Sequence, residues 1–153
     1  FDRGPISTSG EGRLTGGYWS TYWYNGHIYG SEIVRGMDVF ALQPSDHLSQ
    51  NEIDAAMLVM VDELNPQNQM QYSFPMHPTV AKAYIDQLVR AGEIAADRQQ
   101  MLHDMVDEGN IQMASRVAQR LERQSLQNLS ENNAGHWDVI RVRLVEQLRA
   151  LGS

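Results

Sequence analysis

The sequence predicts an α+β chain: an N-terminal antiparallel β meander, shaped like a terminal propeller blade, followed by a C-terminal helical bundle. Three observations predict it. An aromatic, hydroxylated run over 18–24 ends on Asn25-Gly26. Ser49 and Glu52 stand in capping-box spacing. After residue 79, apolar residues recur at helical intervals in four successive segments. The expected organisation is 1–48 as the β segment, 49–78 as a short helix and proline-containing linker, and 79–153 as a four-helix bundle.

The strands come first. Tyr18-Trp19-Ser20-Thr21-Tyr22-Trp23-Tyr24 has the aromatic and β-hydroxy composition that suits a pleated surface. Asn25-Gly26 is the strongest short hairpin signal, because both central turn positions need positive φ. His27 to Glu32 returns as the second strand, Arg35-Gly36 turns, and Met37 to Leu42 forms the third. Strict alternation places Trp19, Thr21 and Trp23 on one face and Tyr18, Tyr22 and Tyr24 around the other. Residues 1–12, rich in Gly, Ser and Thr, read as a loop.

The helices come next. Ser49 caps a helix from Gln50 to about Met57. Leu58 to Asp62 extends it or forms a short strand, a choice periodicity does not make for so short a run. Pro66, Pro75 and Pro78 make 66–78 an extended linker. Thr79 caps the next helix, with Val80, Tyr84, Ile85, Leu88 and Val89 inward and Gly92 as its stop. A second bundle helix runs from about Ala95 to Glu108, with Met101, Leu102, Met105 and Val106 on one face. A third begins after Asn110 on a stripe of Ile111, Ala114, Ala118, Leu121 and Leu129, with Val117 beside it. The fourth has Trp137, Ile140, Leu144, Leu148 and Leu151 at intervals of 3, 4, 4 and 3.

Charge is unevenly spread. Residues 50–108 hold ten acids and three bases, whereas 109–153 hold four acids and six bases, all arginine. The acidic middle argues against nucleic-acid binding. Pairing between neighbouring helices accounts for the basic end: Asp97, Asp104, Asp107 and Glu108 face Arg116, Arg120 and Arg123, or Arg141, Arg143 and Arg149. No cysteine is present, which excludes disulfides and thiolate chemistry. No apolar run approaches the ~18 residues of a transmembrane helix.

Three stretches carry a resemblance, and two shorter ones add to it. Gly17 to Glu32 (GYWSTYWYNGHIYGSE), Arg35 to Phe40 (RGMDVF) and Leu48 to Ala56 (LSQNEIDAA) resemble the C-terminal end of bacterial LVIVD-repeat proteins. Phe1 to Pro5 (FDRGP) fits the lead into their last strands, and Ala81 to Leu88 (AKAYIDQL) resembles the first helix of their tail. Leu58 to Asp62 with Asn65-Pro66 mimics the namesake string, although it directly succeeds a capped helix. The resemblance implies a β-propeller, an exported protein, and an extracellular, periplasmic or cell-envelope location. This chain holds residues for about one blade. The remaining blades are therefore expected from a longer precursor or from a second chain.

Function is read against that background. The GxSxG elbow, the phosphate-binding glycine loop and the HExxH pair are all missing. His27, His47, His77, His103 and His136 lack zinc-ligand spacing and read as isolated surface histidines. No catalytic residue, metal ligand or cofactor is assigned. Loops at one end of a propeller commonly line its binding surface, which makes Tyr22, Tyr24, His27 and Glu32 the candidate ligand- or partner-binding residues. Against this stands the plainer reading that the aromatic string packs between blades, with Trp19 and Trp23 inward. The expected function is a non-catalytic interaction or assembly module. The alternative is part of a metal-binding or enzymatic propeller whose active groups lie mostly outside this chain.

Overall fold

The structure, a computed structural model, describes residues 16–131 and 135–151. The order is β1 (Tyr18–Tyr24), β2 (His27–Glu32), β3 (Gly36–Ala41), α1 (Gln50–Met57), α2 (Pro78–Arg90), α3 (Gln99–Asp107), α4 (Ile111–Ser130) and α5 (His136–Ala150). Single 3-10 turns occupy Pro66–Asn68 and Ala96–Arg98. The fold is thus α+β with a C-terminal helical part, as expected. The loop expected over residues 1–12 lies outside the described residues. The chain divides into two compact units. One holds the described residues up to Leu42 together with Met60–Tyr72, and the other holds Gln43–Val59 and the described residues from Ser73 onward.

In the first unit the strands form an antiparallel sheet in the order β1-β2-β3. Asn25 (φ 45°) and Gly26 (φ 87°) take the left-handed conformations the two-residue turn demands. The β1–β2 register then runs regularly from Tyr24↔His27 to Ser20↔Ser31, but the next pair is Tyr18↔Glu32. Trp19 is the extra residue of a bulge, and it breaks the alternation expected of β1. Tyr18, not Trp19, therefore lies over Gly30, where an added Cβ would stand 2.7 Å from the Tyr18 ring. Tyr18 also meets Phe40 edge-on at 5.9 Å. Trp19 is 75% exposed within this chain. Trp23 is partly buried and packs edge-on against Tyr72 at 5.6 Å. The stretch read as a linker accordingly divides: Pro66 to Tyr72 belongs with the sheet, and Ser73 to Pro78 with the helices.

The helical unit is built on capped ends. The Ser49 hydroxyl accepts from the Glu52 amide and the Glu52 carboxylate accepts from the Ser49 amide, completing the capping box. α2 starts earlier than expected: His77 is its N-cap, accepting from the Thr79 amide through Nδ1, and Pro78 fills the first helical position. Gly92 (φ 76°) closes α2, with Glu93 N donating to Leu88 O. Asn110 caps α4 through its side-chain oxygen.

One core joins α2 to α5: Ala81, Ile85 and Leu88 meet Leu102, Met105 and Val106, then Ala114, Ala118 and Leu121, then Leu144, Val145 and Leu148. α1 joins through Ala55 against Val80 and Ala83. Full burial of each large side chain contributes about 1.5–3 kcal/mol.

Four members of the expected stripes are exposed, Met101 (46%) and Ile111 (50%) besides Leu129 and Trp137. Leu129 is 57% exposed, because the buried row of α4 continues from Leu121 to Ser125 and then to Asn128, which donates to Asp138. Trp137 is 36% exposed and stands against His136 in the first turn of α5. The core face of α5 is taken there by Asp138 and by Arg141, which is 2% exposed. Arg141 donates to Asp138 at 2.5 Å and also to Glu93. Apolar periodicity alone passes over such a buried ion pair.

The expected pairing of acidic and basic helices is sparse. Arg149 meets Glu122, Arg143 meets Glu146 within its own helix, and Lys82 meets Asp107. Asp104 is held by Gln100, four residues before it on α3.

Candidate functional site

The two-residue turn puts Tyr22 opposite Tyr29, and Tyr29 opposite Val39. Tyr24 stands opposite His27, and His27 opposite Ala41. Both rows occupy one face of the sheet, because successive residues alternate. Tyr29 is the hub: its ring lies 6.2 Å from that of Tyr24 and 6.5 Å from that of His27. Tyr22 and Val39 are exposed, so this face is an aromatic surface open to solvent among the described residues.

The turn end of the sheet is pinned by the segment that returns at residues 60–62. Asn25 Nδ2 donates to Val61 O at 3.0 Å, while Asn25 Oδ1 accepts from Val61 N at 2.9 Å. The Tyr24 hydroxyl donates to Asp62 O at 3.2 Å. Asn25 thus does two things, supplying the left-handed turn conformation and bracketing a peptide 36 residues away. Sequence reasoning recognised the first role only, since no local pattern announces the second.

Glu32 does not join the aromatic group. It stands at the far end of β2, five residues and about 17 Å from His27 at strand spacing. Its carboxylate is 6% exposed and accepts from the amides of Gly17, Val34 and Arg35. The hydrogen bond from Gly17 chiefly, aided by those from Arg35 and Val34, outweighs burial and holds Glu32 below the usual carboxylate range. Its described bonds make it an anchor for the β2–β3 turn. Of the four candidate residues the structure therefore brings together three: Tyr22, Tyr24 and His27.

What those three can do chemically is limited by their neighbours. His27 Nδ1 lies 3.4 Å from Asn25 O, with no carboxylate among its described partners. Asp38, the acid of β3, accepts from the Tyr18 hydroxyl at 2.6 Å on the opposite face. The surface offers rings, phenol hydroxyls and one imidazole, which suits packing and recognition.

A second polar cluster lies in the helical unit, and the sequence did not single it out. Asp86 on α2 is buried and accepts from Asn51 Nδ2 at 2.8 Å and Gln99 Nε2 at 2.7 Å. His103 Nε2 lies 2.7 Å from the same carboxylate. Burial disfavours the Asp86 charge, but hydrogen bonds from Ser49, Asn51 and Gln99 and the His103 charge outweigh it and keep its pKa lowered. Beside it, Arg90 binds Glu52 through both guanidinium nitrogens, at 2.8 and 2.7 Å. This corrects the reading of His103 as an isolated surface histidine. The cluster joins α1, α2 and α3, and its groups are satisfied by one another, as befits a structural staple.

Among the described residues no group of three His, Asp or Glu side chains is placed to hold a metal ion. No described helix is long and apolar enough to cross a membrane. Compared with known proteins, the chain matches no family model, no curated protein and no solved structure.

Proposed function

We propose that this chain is a non-catalytic interaction module, the C-terminal part of an exported, propeller-type protein of the bacterial cell envelope. Its sheet completes a propeller supplied by other polypeptide, either a longer precursor or a second chain, and its helices present a surface to a protein partner. The observation that carries this reading is the state of the sheet. It has three strands in meander order, and among the described residues β1 and β3 each pair on one side only. A propeller blade has four strands. Beside those edges stand Trp19 and Met37, both largely exposed, with Tyr22 and Val39 on the open face. Unpaired edges next to bare rings recruit further strands. The resemblance of residues 17–56 to LVIVD-repeat proteins supports the same assignment.

The test is made on the chain alone in solution. The sheet amides are expected to exchange much faster with solvent than those of α2 and α5. Sedimentation is expected to show association that rises with concentration. A stable monomer with β1 and β3 amides as protected as the helices would overturn the proposal.

A further inference from the structure

The chain between α2 and α3, the 3-10 turn before α3, and the outer side of α4 enclose a cleft of about 300 Å³. That volume falls at the small end of ligand sites, roughly 300–1,000 Å³. Its floor is apolar: Ile94, Leu102, Val117 and Leu121, with Met101 half in solvent. Two arginines line it, Arg98 from the turn and Arg120 from α4.

Arg90, Arg141, Arg143 and Arg149 each bind a carboxylate. Arg98, Arg116, Arg120 and Arg123 lack the carboxylate partner that these other arginines of the helical unit have among the described residues, and of these four Arg98 and Arg120 line the cleft. Of the two acids at the cleft, Glu93 is already bound by Arg141. Asp97 remains, one acid against two arginines. The cleft thus combines an apolar floor with two guanidinium groups that no described carboxylate occupies, its two acids leaving the lining neutral overall.

We propose that this cleft binds a medium-chain carboxylate, a single anionic head on a short unbranched apolar body. The head lies between Arg98 and Arg120, whose planar guanidinium groups match a carboxylate in fork geometry. The chain lies on Ile94, Leu102, Val117 and Leu121, with Met101 as an adaptable flank. A dianion would meet the Glu93 and Asp97 carboxylates as well, and a neutral amphiphile leaves both guanidinium groups without an anionic partner. The site is independent of the propeller reading, since it lies wholly within the helical unit.

The probe is sodium octanoate, titrated calorimetrically into the full chain, with octanamide as its neutral isostere. Saturable one-to-one binding is expected, in the range of about 1 mM or tighter. Octanamide, and octanoate with Arg98→Gln or Arg120→Gln, are expected to bind about tenfold more weakly, the effect of losing one charge-assisted hydrogen bond. Arg123→Gln, the same charge change nearby on α4, is expected to stay within about twofold, the residue of general charge attraction. Methyl-labelled methionine spectra give a second readout that does not depend on the variants: the Met101 signal shifts with saturation while Met57 and Met60 stay fixed. Absence of saturation, equal affinity for octanamide, equal losses in Arg120→Gln and Arg123→Gln, or a stationary Met101 signal would each overturn the assignment.

Discussion

The two units are held together by different means. Every buried hydrophobic side chain among the described residues belongs to the helical unit. Among the described residues of the sheet unit only Gly26, Gly30 and Glu32 are buried, and none of these brings an apolar side chain. The sheet is held instead by its ladders, by the Asn25 bracket, by the Glu32 anchor and by ring contacts at 5.6–6.5 Å. Such ring pairs contribute about 0.5–1.5 kcal/mol each beyond their area, far less than a packed core. Three strands need a covered hydrophobic face for stability of their own. The difference teaches that one unit carries its own core, whereas the described residues of the other do not supply one.

The largest test of that contrast is Leu144→Ala. Leu144 is fully buried on α5 within the cluster that joins four helices. Removing it is expected to cost about 2–5 kcal/mol in urea unfolding followed by helical circular dichroism. A cost below ~1 kcal/mol would show that the helices do not rest on this core.

Asp86→Ala comes next. It leaves Asn51 and Gln99 without their acceptor, at about 1–3 kcal/mol for each orphaned donor; both bonds are only part-buried, so the lower part of that range, about 2–4 kcal/mol in all, is expected by the same unfolding assay. The cluster also gives the helical unit an acid limit. Asp86 and Glu52 both have pKa values lowered from their ordinary 3.8 and 4.5. A depressed carboxylate contributes stability that is full above its unfolded value and is lost as pH falls through the folded value. Urea midpoints are therefore expected to hold from pH 7 to about 5 and to fall below about 4. Asp86→Asn should flatten that fall, and an unchanged acid slope would remove Asp86 as its source.

Gly30→Ala probes the sheet in turn. The new Cβ would stand 2.7 Å from the Tyr18 ring, which is tethered by its hydroxyl to Asp38. Overpacking of this kind costs about 1–3 kcal/mol. The expected result is faster exchange of β1 and β2 amides with helical exchange unchanged. Simultaneous loss in both units would break the contrast drawn between them.

What the sequence made legible were features whose cause is local. Asn25-Gly26 placed the hairpin, and Ser49 with Glu52 placed α1, because turn and cap chemistry act within four residues. Gly92 and Asn110 marked helix ends for the same reason. The illegible features depend on partners far along the chain. The Asp86 cluster draws on Asn51 and His103, and the Asn25 bracket reaches Val61. Arg141 takes a core position because Asp138, three residues earlier, and Glu93, 48 residues earlier, both receive it. The bulge at Trp19 escaped for another reason: alternation assumes one residue per pair, and nothing in the β1 composition signals the extra one. Of the candidate site, the tyrosines and His27 were legible as neighbours across a hairpin. Glu32, grouped with them as a residue near a β turn, stands at the other turn, at the opposite end of β2.

The smallest expected effect bears most directly on the proposed function. Trp19 has no cross-strand partner and is 75% exposed. Exposed substitutions away from packed features change stability by about ±0.5 kcal/mol, so Trp19→Ser should leave the unfolding midpoint where it was. Association is a different matter. A bare indole on an edge strand offers a large apolar surface to any incoming strand, and replacing it with a hydroxyl removes most of that surface. The concentration dependence seen by sedimentation is therefore expected to weaken in Trp19→Ser while stability holds. A stability loss above ~1 kcal/mol would mean that Trp19 already packs within the chain. The exposure on which the proposed function rests would then have to be sought at Met37 or Tyr22 instead.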